Sequence, residues 1–557
     1  MTKFLSHRSH RWLIAVAVLA AIAVRLPYLW LSTEYLVSRM PDDAFYYFTI
    51  TRHLARGQGS TFDGLNLTNG YHPLWAIVQT PVHWLTADPP TALRLILALA
   101  TLISAVTVAL LFLSVKALAG QRTAFLVAVV WALHPSMQHT DLSGMETVLY
   151  GAMLAATFCF CVTRCCPAPP PSAWVKLGVL LGFTALARWD SLFLAGLMGV
   201  WLLCQRQRPL RDRLQAVVRI GVPFALIVLP VLLWNKLTFG HFTPISGRVK
   251  LWYQQVGYLS QFDSLISLEY LRAATHTMFV TRPKMLLRDT VLSAWGRGKE
   301  PIIALTALAL LMTVFLWRRN RSHDKHLREK LKCLDPYPAF AAFIYTYYTL
   351  CFHHMYSYYM LPITFCLWLM GAACIGSLLE RWLSPRWSWG VVAVISLFTL
   401  QRAVSHHPLW RGAPLVRSVQ WKVKRYRLAL WLKQHTEPDA IIAAWNAGVF
   451  GYFSERRVIN LDGLVNNDEL LDALKSRRLG DYLREKRVDY VVDYFLRDHT
   501  RTRPHLTMHS ENWYDVVEPI AAEALWANRR YLKLLRRVPF DENKRGRAFY
   551  VYKMVKR

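Results

Sequence analysis

The sequence predicts a polytopic α-helical membrane protein that ends in a soluble α/β domain. Of its 557 residues, 54% are hydrophobic, and the mean hydropathy is +0.21. The apolar residues are concentrated in blocks, several of which approach the ~20 residues that a transmembrane helix needs. Residues 402–557 contain no such block. We therefore divide the chain into a transmembrane domain at 1–401 and a soluble domain at 402–557.

The charge of the chain favours a membrane protein over a nucleic-acid-binding one. A formal net charge of +31 would suggest nucleic acid in a soluble protein. Here much of the Lys and Arg lies in short segments between apolar blocks, where basic residues determine membrane orientation. No cysteine follows Cys374, so the tail has no disulfide framework, and the cysteines show no zinc-type spacing. We expect no nucleic-acid partner.

The first span is predicted at Trp12–Ser32, which is apolar apart from Arg25. It is longer than the apolar core of a signal peptide and lacks a small-residue cleavage site, so we expect it to be retained. Basic residues before it place the N-terminus in the cytoplasm and residues 33–89 outside.

Ten further apolar blocks bring the predicted number of spans to about eleven. They lie at 90–115, 123–135, 145–163, 174–187, 191–204, 216–235, 301–317, 337–352, 358–379 and 387–401. The shorter segment 74–86 contains Pro81 and His83 and is predicted as an interfacial helix. Loops assigned to the cytoplasm are rich in Lys and Arg, and the short external ones lack them. The C-terminus and the long loop 236–300 are therefore predicted to be external.

Every polar cluster that could carry chemistry is predicted to fall on this external side. A structural membrane protein has no reason to segregate them, whereas a site built there does. The clusters are Asp42 with Asp43, His72, His139 with Asp141 and Glu146, Arg188 with Asp190, Arg248 with Lys250, His353 with His354, and Asp462.

Asp42 and Asp43 open an aromatic amphipathic run directly after the first span. Asp is favoured at a helix N-terminus, so one of the two is expected to cap the helix. The second acid, beside a membrane-embedded cavity, is costly unless it is used or paired. Asp43 lies on the helix side and is favoured as the cap by its position. This makes Asp42 the favoured general base, and both acids stay candidates for that role.

Three more residues near this segment are candidates for ligand contact. Tyr46 belongs to the aromatic run and by default is an interfacial residue. His72 is held extended by the following proline and either fixes its loop or faces the cleft. Glu146 lies in the first turn of a predicted span, where the helix dipole alone would favour an acid.

Three basic residues are candidates for binding a phosphate group. Arg188 and Asp190 share a short external turn, so a local salt bridge is the alternative to a phosphate-binding role for Arg188. Arg248 and Lys250 end a turn-rich external segment, and basic groups there suit a phosphate. Contact with anionic lipid headgroups explains them almost as well.

The tail alternates helix-like and strand-like runs, which is typical of a small α/β domain. The helix-like runs are Val419–His435 and Asp468–Lys475, and the strand-like ones are Ala440–Ala444, Arg457–Leu461, Val488–Asp493 and Ala548–Lys553. Asp462 follows a strand-like run, where binding loops lie in α/β sheets. A turn residue is the alternative.

Six sequence features occur together in this chain: the acid pair, the TFDG and TNGYHPLW loop, the aromatic amphipathic run, SGMET, LARWD and GYFSERRVINLDGLVN. Together they resemble the GT-C superfamily of membrane glycosyltransferases, which includes protein O-mannosyltransferases and the lipid A aminoarabinose transferase. This resemblance implies a GT-C fold and an inverting transfer from a polyprenyl-phosphate sugar, with an acid of the first external loop as base. Here that acid is Asp42 or Asp43.

The resemblance also implies partners and a location. The acceptor would be a protein, a lipid or a glycan, and the enzyme would lie in the inner (plasma) membrane among membrane lipids. Some members use a spaced Asp-x-Asp and a divalent metal; the adjacent acids here leave metal dependence open, and no metal ligand is assigned. The alternatives are a transporter or flippase of lipid-linked sugars, which would need polar groups at mid-membrane, and a non-catalytic assembly factor of the cell envelope.

Overall fold

The computed structural model describes residues 2–165, 169–259, 268–281, 331–351, 357–369, 371, 383–408, 420–493, 532–539 and 548–555. The predicted span 301–317 and the pair His353 and His354 lie outside these residues.

The first part of the chain is mainly helical in its described residues, with a loop at 56–72 that holds an isolated antiparallel bridge between Thr61 and Leu67. Its helices are α1 (Thr2–Arg25), α2 (Thr33–Arg39), α3 (Asp42–Ala55), α4 (Pro73–Gln79), α5 (Val82–Leu85), α6 (Pro89–Leu133), α7 (Pro135–Asp141), α8 (Thr147–Arg164), α9 (Pro171–Ala187), α10 (Leu192–Leu203), α11 (Leu210–Phe239), α12 (Ile245–Leu259), α13 (Leu268–His276), α14 (Pro336–Cys351) and α15 (Pro385–His406).

Five segments in the described residues are long and apolar enough to cross a membrane. They are Arg11–Trp30, Pro89–Leu133, Thr147–Arg164, Leu210–Phe239 and Pro385–Ser405. Two shorter apolar helices lie at Pro171–Ala187 and Trp189–Leu203. The predicted multi-pass helical class is confirmed, and the predicted number of about eleven spans is not. Helices α4 and α5, with 7 and 4 residues, are too short to span.

Helix α6 contains a break that separates two of the predicted apolar blocks. Ala119 and Gly120 leave helical geometry, and Gly120 has a φ of 78° and a ψ of 170°. This conformation is open to glycine because it has no Cβ. The break therefore falls between the basic residues Lys116 and Arg122, where the sequence predicts a loop.

Within the membrane part, an ion pair accounts for the charge inside the first span. The Arg25 side chain is fully buried and donates to Asp141 at 2.7 Å. Ser104 donates to the same carboxylate at 2.7 Å, and Arg25 also donates to the Ala132 carbonyl at 2.7 Å. A charge in a span is tolerated when it is paired in this way.

The C-terminal part forms a five-stranded mixed sheet with helices packed around it. Its elements are α16 (Gln420–His435), β1 (Ile441–Ala444), α17 (Gly448–Phe453), β2 (Arg457–Asn460), α18 (Asp468–Lys475), α19 (Leu479–Glu485), β3 (Tyr490–Asp493), β4 (Leu532–Pro539) and β5 (Ala548–Met554). The strand order is β2-β1-β3-β5-β4. Strand β1 is parallel to β2 and β3, whereas β5 is antiparallel to β3 and β4.

Helix α3 connects the two parts because it is buried between them. Residues 44–52 of this helix are all buried. Its aromatic side chains pack on α17, where Phe45 and Phe48 both contact Tyr452. The aromatic run is thus part of the interface with the C-terminal domain, and the prediction of a membrane-interface belt is wrong for these residues.

Candidate active site

The side chain of Asp42 joins α3 to the C-terminal domain. One carboxylate oxygen accepts from Arg425 Nη1 at 2.7 Å and from the Val449 N–H at 3.2 Å. The other accepts from the Gly448 N–H at 2.8 Å. The carboxylate thereby satisfies the free N–H groups at the start of α17.

Arg52, three turns along the same helix, binds the opposite end of α17. Its guanidinium donates to the carbonyls of Gly451 at 2.8 Å and Tyr452 at 2.9 Å. An anion at the N-terminus of α17 and a cation at its C-terminus both complement the helix dipole. Asp42 and Arg52 therefore hold the C-terminal domain against α3.

The prediction that Asp43 caps helix α3 is wrong. The N-cap of α3 is Pro41, and no side chain makes the capping hydrogen bond, so Asp43 is not the cap. Asp43 instead lines a cavity that Asp42 does not reach. Which residue becomes the N-cap depends on where the backbone enters the helix. Two adjacent aspartates do not reveal that position in the sequence.

The cavity lies between α3, the loop before α4, the start of α8, α12 and the C-terminal domain. Its volume is about 50 Å³, which admits water molecules and is small for a sugar. A glycosyl donor would therefore have to displace lining side chains. The lining residues are Asp43, Tyr46, Tyr47, Gly70, Tyr71, His72, Met145, Glu146, Arg188, Ser246, Lys250, Tyr359, Leu464 and Val465.

Asp43 is electrostatically suited to exchange a proton near neutral pH. Its burial raises the pKa of the carboxyl to about 6, the nearby charge of Lys250 opposes that rise, and Asp42 and Glu146 reinforce it. A buried acid loses hydration that favours its ionised form, which explains the direction. A base with a pKa close to the working pH combines a deprotonated resting state with useful proton affinity.

Lys250 supplies positive charge to the same cavity. Its Nζ donates to the Tyr359 hydroxyl at 2.9 Å. Although burial disfavours its charge, Tyr359 and Asp43 raise the pKa of Lys250 above the usual value, so it stays protonated. The cavity thus places an ammonium group beside the Asp43 carboxylate.

Arg188 is bound by two carboxylates. It donates through Nη1 to Glu146 at 2.8 Å and through Nε to Asp190 at 2.8 Å, and its guanidinium lies 4.8 Å from the Tyr359 ring centroid. The local salt bridge with Asp190 is present, and Glu146 adds a partner 42 residues away. The charge of Arg188 is therefore largely compensated, in contrast to that of Lys250.

His72 is a neutral imidazole in this environment. Burial and the charge of Arg188 lower the pKa of His72 to about 3. Its Nδ1 accepts from the Trp189 N–H at 3.4 Å, so its proton lies on Nε2, which is 3.7 Å from Glu146. The His72 ring can therefore offer one N–H to a ligand in the cavity.

Asp462 brings the C-terminal domain into the site. Tyr46 donates to its carboxylate at 2.5 Å, the Leu464 N–H donates at 3.0 Å, and Tyr253 donates to its carbonyl at 2.8 Å. Burial raises the pKa of Asp462 to about 7. Asp462 itself does not line the cavity, but it fixes Tyr46 and the Leu464–Val465 wall, which do.

The loop before α4 and the Leu464 backbone are in close contact. A Cβ added to Gly70 would lie 1.8 Å from the Leu464 carbonyl oxygen. The absence of a side chain at this position therefore lets the TNGYHP loop seat directly on the C-terminal domain.

Arg248 is placed away from the cavity, although Lys250 is only two residues further along α12. It forms an ion pair with Asp468 in the first turn of α18.

Tyr359, Leu464 and Val465 line the cavity, and the sequence does not predict them as site residues. Tyr359 lies in an aromatic-rich block, and the other two are ordinary apolar residues, so no local signal distinguishes them. No group of three or more His, Cys, Asp or Glu side chains in the described residues is placed to hold a metal ion.

Two family profiles match parts of the chain. Residues 73–234 match the family described as dolichyl-phosphate-mannose-protein mannosyltransferase. Residues 416–552 match a domain family of unknown function. No curated protein sequence matches the chain significantly.

Solved structures of two membrane enzymes share the fold over nearly the whole chain. ArnT from Cupriavidus metallidurans bound to undecaprenyl phosphate is 13% identical with a TM-score of 0.57, covering 97% of each chain. The oligosaccharyltransferase of Archaeoglobus fulgidus with Zn and sulfate is 12% identical with a TM-score of 0.55, covering 97% of this chain and 72% of that one. The archaeal AglB from the same organism, with an inhibitory peptide and a dolichol-phosphate, is 12% identical with a TM-score of 0.55, covering 95% and 73%.

The chain therefore shares the fold of ArnT over 97% of both chains and that of the archaeal oligosaccharyltransferase over 97% of its own length. Residues 73–234 are in addition similar to the family described as dolichyl-phosphate-mannose-protein mannosyltransferase.

Proposed function

We propose that this protein transfers a sugar from a polyprenyl-phosphate donor to an acceptor hydroxyl, with inversion and with Asp43 as the general base. The observation that carries the proposal is the different placement of the two adjacent acids. Asp42 is occupied by Arg425 and α17, whereas Asp43 faces the cavity with a pKa of about 6. A carboxylate in that position can take the hydroxyl proton as the acceptor attacks the anomeric carbon.

Lys250 is the proposed ligand of the donor phosphate. Its ammonium faces the cavity, and a cation there offsets negative charge that develops on the departing phosphate. Two of the similar structures hold undecaprenyl phosphate and dolichol-phosphate, which supports a lipid-linked donor. Arg188 lines the same cavity and holds Glu146 in place, so we assign it a secondary role at the phosphate. Arg248 is assigned to the contact with Asp468.

Tyr46, His72 and Glu146 are proposed to contact the sugar or the acceptor. All three line the cavity, and together they offer a hydroxyl, an N–H and a carboxylate. Asp462 is proposed to orient Tyr46. The site would face outward from the inner membrane, with the N-terminus in the cytoplasm and residues 402–557 outside, as the loop charges predict.

A transfer assay tests this proposal. Purified protein incubated with polyprenyl-phosphate sugar and an envelope extract as acceptor is expected to release polyprenyl phosphate and to form a glycosylated product. A flippase would instead move the labelled lipid across a vesicle without consuming it, and an assembly factor would do neither. Unchanged donor after incubation with the envelope extract, under conditions in which the protein remains folded, would rule out the proposed activity.

The pH dependence of transfer is expected to report the Asp43 carboxyl. Because a base must be deprotonated, and because burial raises the pKa of Asp43 to about 6, kcat/KM should fall as the pH drops below about 6. The neighbouring titratable groups are Lys250, Glu146, Asp42 and Asp462, and the last has a pKa of about 7. An Asp462→Asn variant should keep the lower acidic limb. A profile that is flat from pH 5 to pH 8 in the wild type would contradict the assignment.

A further inference from the structure

A cationic cluster lies outside the lining of the cavity, where three separate elements meet. Arg39 ends α2, His139 belongs to α7, and Lys422 belongs to α16. Arg39 Nη2 lies 3.5 Å from His139 Nδ1. Lys422 Nζ donates to the carbonyl of Met40, the residue next to Arg39, at 2.8 Å. Two full charges and an imidazole thus converge on one spot.

Two carboxylates of the neighbouring helices α2 and α3 form ion pairs with arginines outside this cluster. Asp42 pairs with Arg425, and Glu34 pairs with Arg427. Among the described residues, no ion pair joins Arg39 or Lys422 to a carboxylate. Burial and the charge of Arg425 lower the pKa of Lys422 to about 8; Asp42 opposes this effect, and Arg39 adds to it. Like charges held this close are stabilised by an added anion.

The cluster lies at the end of a membrane span. The candidate span Arg11–Trp30 ends just before α2, and Arg39 is close enough to Tyr28 of that span to interact with it electrostatically. Trp30 at the end of the span is 73% exposed, as is typical of an aromatic residue at the membrane interface. Arg39 and His139 are also exposed. A ligand of the cluster would therefore sit at the level of lipid headgroups.

The sequence that contributes Lys422 has an unusual charge composition. Residues 406–436 follow the span that ends at Ser405 and contain no Asp or Glu. Their basic residues are Arg411, Arg417, Lys422, Lys424, Arg425, Arg427 and Lys433. A basic run next to a span attracts anionic lipids.

We propose that Arg39, His139 and Lys422 form a binding site for the phosphate of an anionic membrane lipid. Arg39 would bind the phosphate through its planar guanidinium and Lys422 through its ammonium. The His139 ring would donate one hydrogen bond. The bound headgroup would join α2, α7 and α16, and so attach the C-terminal domain to the membrane beside the site. This inference does not depend on the proposed transferase activity.

Lipid titration of the detergent-solubilised full-length protein tests the proposal. The probes are short-chain phosphatidylglycerol, phosphatidylcholine of the same chain length, and inorganic phosphate, with binding followed by native mass spectrometry. Phosphatidylglycerol is expected to bind in preference to phosphatidylcholine. Since each basic residue contributes roughly fivefold to the affinity for an anionic surface, Arg39→Gln with Lys422→Gln should weaken binding about 30-fold.

A matched control also removes two positive charges, one from each part of the chain, but at exposed residues outside the cluster. Arg56 and Lys475 are both exposed and lie outside the basic run 406–436, so Arg56→Gln with Lys475→Gln should leave lipid binding unchanged. The conservative Lys422→Arg should retain it, and the exposed Arg39→Gln alone serves if the double variant fails to fold. Equal losses in the control pair, equal binding of phosphatidylcholine, or equal competition by inorganic phosphate would each overturn the proposal.

Discussion

Asp43→Asn is expected to abolish transfer while leaving the protein folded and inserted. The amide keeps the shape of the side chain but cannot accept the hydroxyl proton, and loss of a general base typically costs 10²- to 10⁴-fold in rate. We therefore expect kcat to fall at least about a hundredfold, measured as polyprenyl phosphate released by purified protein. Because the substitution removes a buried carboxyl, thermal stability should not decrease markedly.

Asp42→Asn is the matched comparison, since it makes the same chemical change one residue earlier. This variant loses the ion pair with Arg425 and weakens the contacts with the start of α17. Breaking a buried pair destabilises a protein by about 3–5 kcal/mol. The expected result is a lower melting temperature with kcat largely retained per folded molecule. If Asp42→Asn lost activity at full stability and Asp43→Asn remained active, the two roles would be reversed.

Gly70→Ala is expected to separate the C-terminal domain from the TNGYHP loop. The new Cβ would lie 1.8 Å from the Leu464 carbonyl oxygen, so one of the two backbones must move. Overpacking of this kind costs about 1–3 kcal/mol, and more where the neighbour is backbone. We expect a loss of activity together with faster proteolysis between the two parts of the chain, because Leu464 also forms a wall of the cavity.

Gly390→Ala provides the control for a glycine-to-alanine change in this protein. No heavy atom lies within 4 Å of the Cβ that it would introduce. Its melting temperature, proteolysis rate and activity should match those of the wild type. Wild-type behaviour of Gly70→Ala in all three measurements would show that the close contact is not needed for the site.

Much of the fold follows from local patterns in the sequence. Four strands of the C-terminal sheet and helices α16 and α18 fall within a few residues of the predicted runs. The strands are short, mainly apolar runs between polar or turn residues, and α18 has apolar residues at helical spacing. Strand β4 was not predicted. Its sequence LKLLRRVP has adjacent leucines and adjacent arginines instead of alternation, and it lies at the edge of the sheet, where one side needs no partner.

The sequence predicts which residues belong to the site better than it predicts the role of each one. Asp43, Tyr46, His72, Glu146, Arg188 and Lys250 were all candidates, and the structure brings them to one cavity. The roles of Asp42 and Arg248 depend on partners that lie 383 and 220 residues away in the chain. The local sequence around Asp42 and Arg248 does not indicate partners so far away. From the sequence alone, a general base or a phosphate ligand therefore cannot be distinguished from a residue that contacts the C-terminal domain.

The cavity is built from both ends of the chain, since Tyr46 and Asp462 are 416 residues apart. With the proposed orientation, the loop that carries Tyr46 would be exported long before the segment that carries Asp462 has left the ribosome. Until then Tyr46 has no carboxylate to orient it, and the cavity has no Leu464–Val465 wall. Under the proposed function, a nascent chain would therefore be unable to consume a lipid-linked donor before the last domain has been synthesised and has docked.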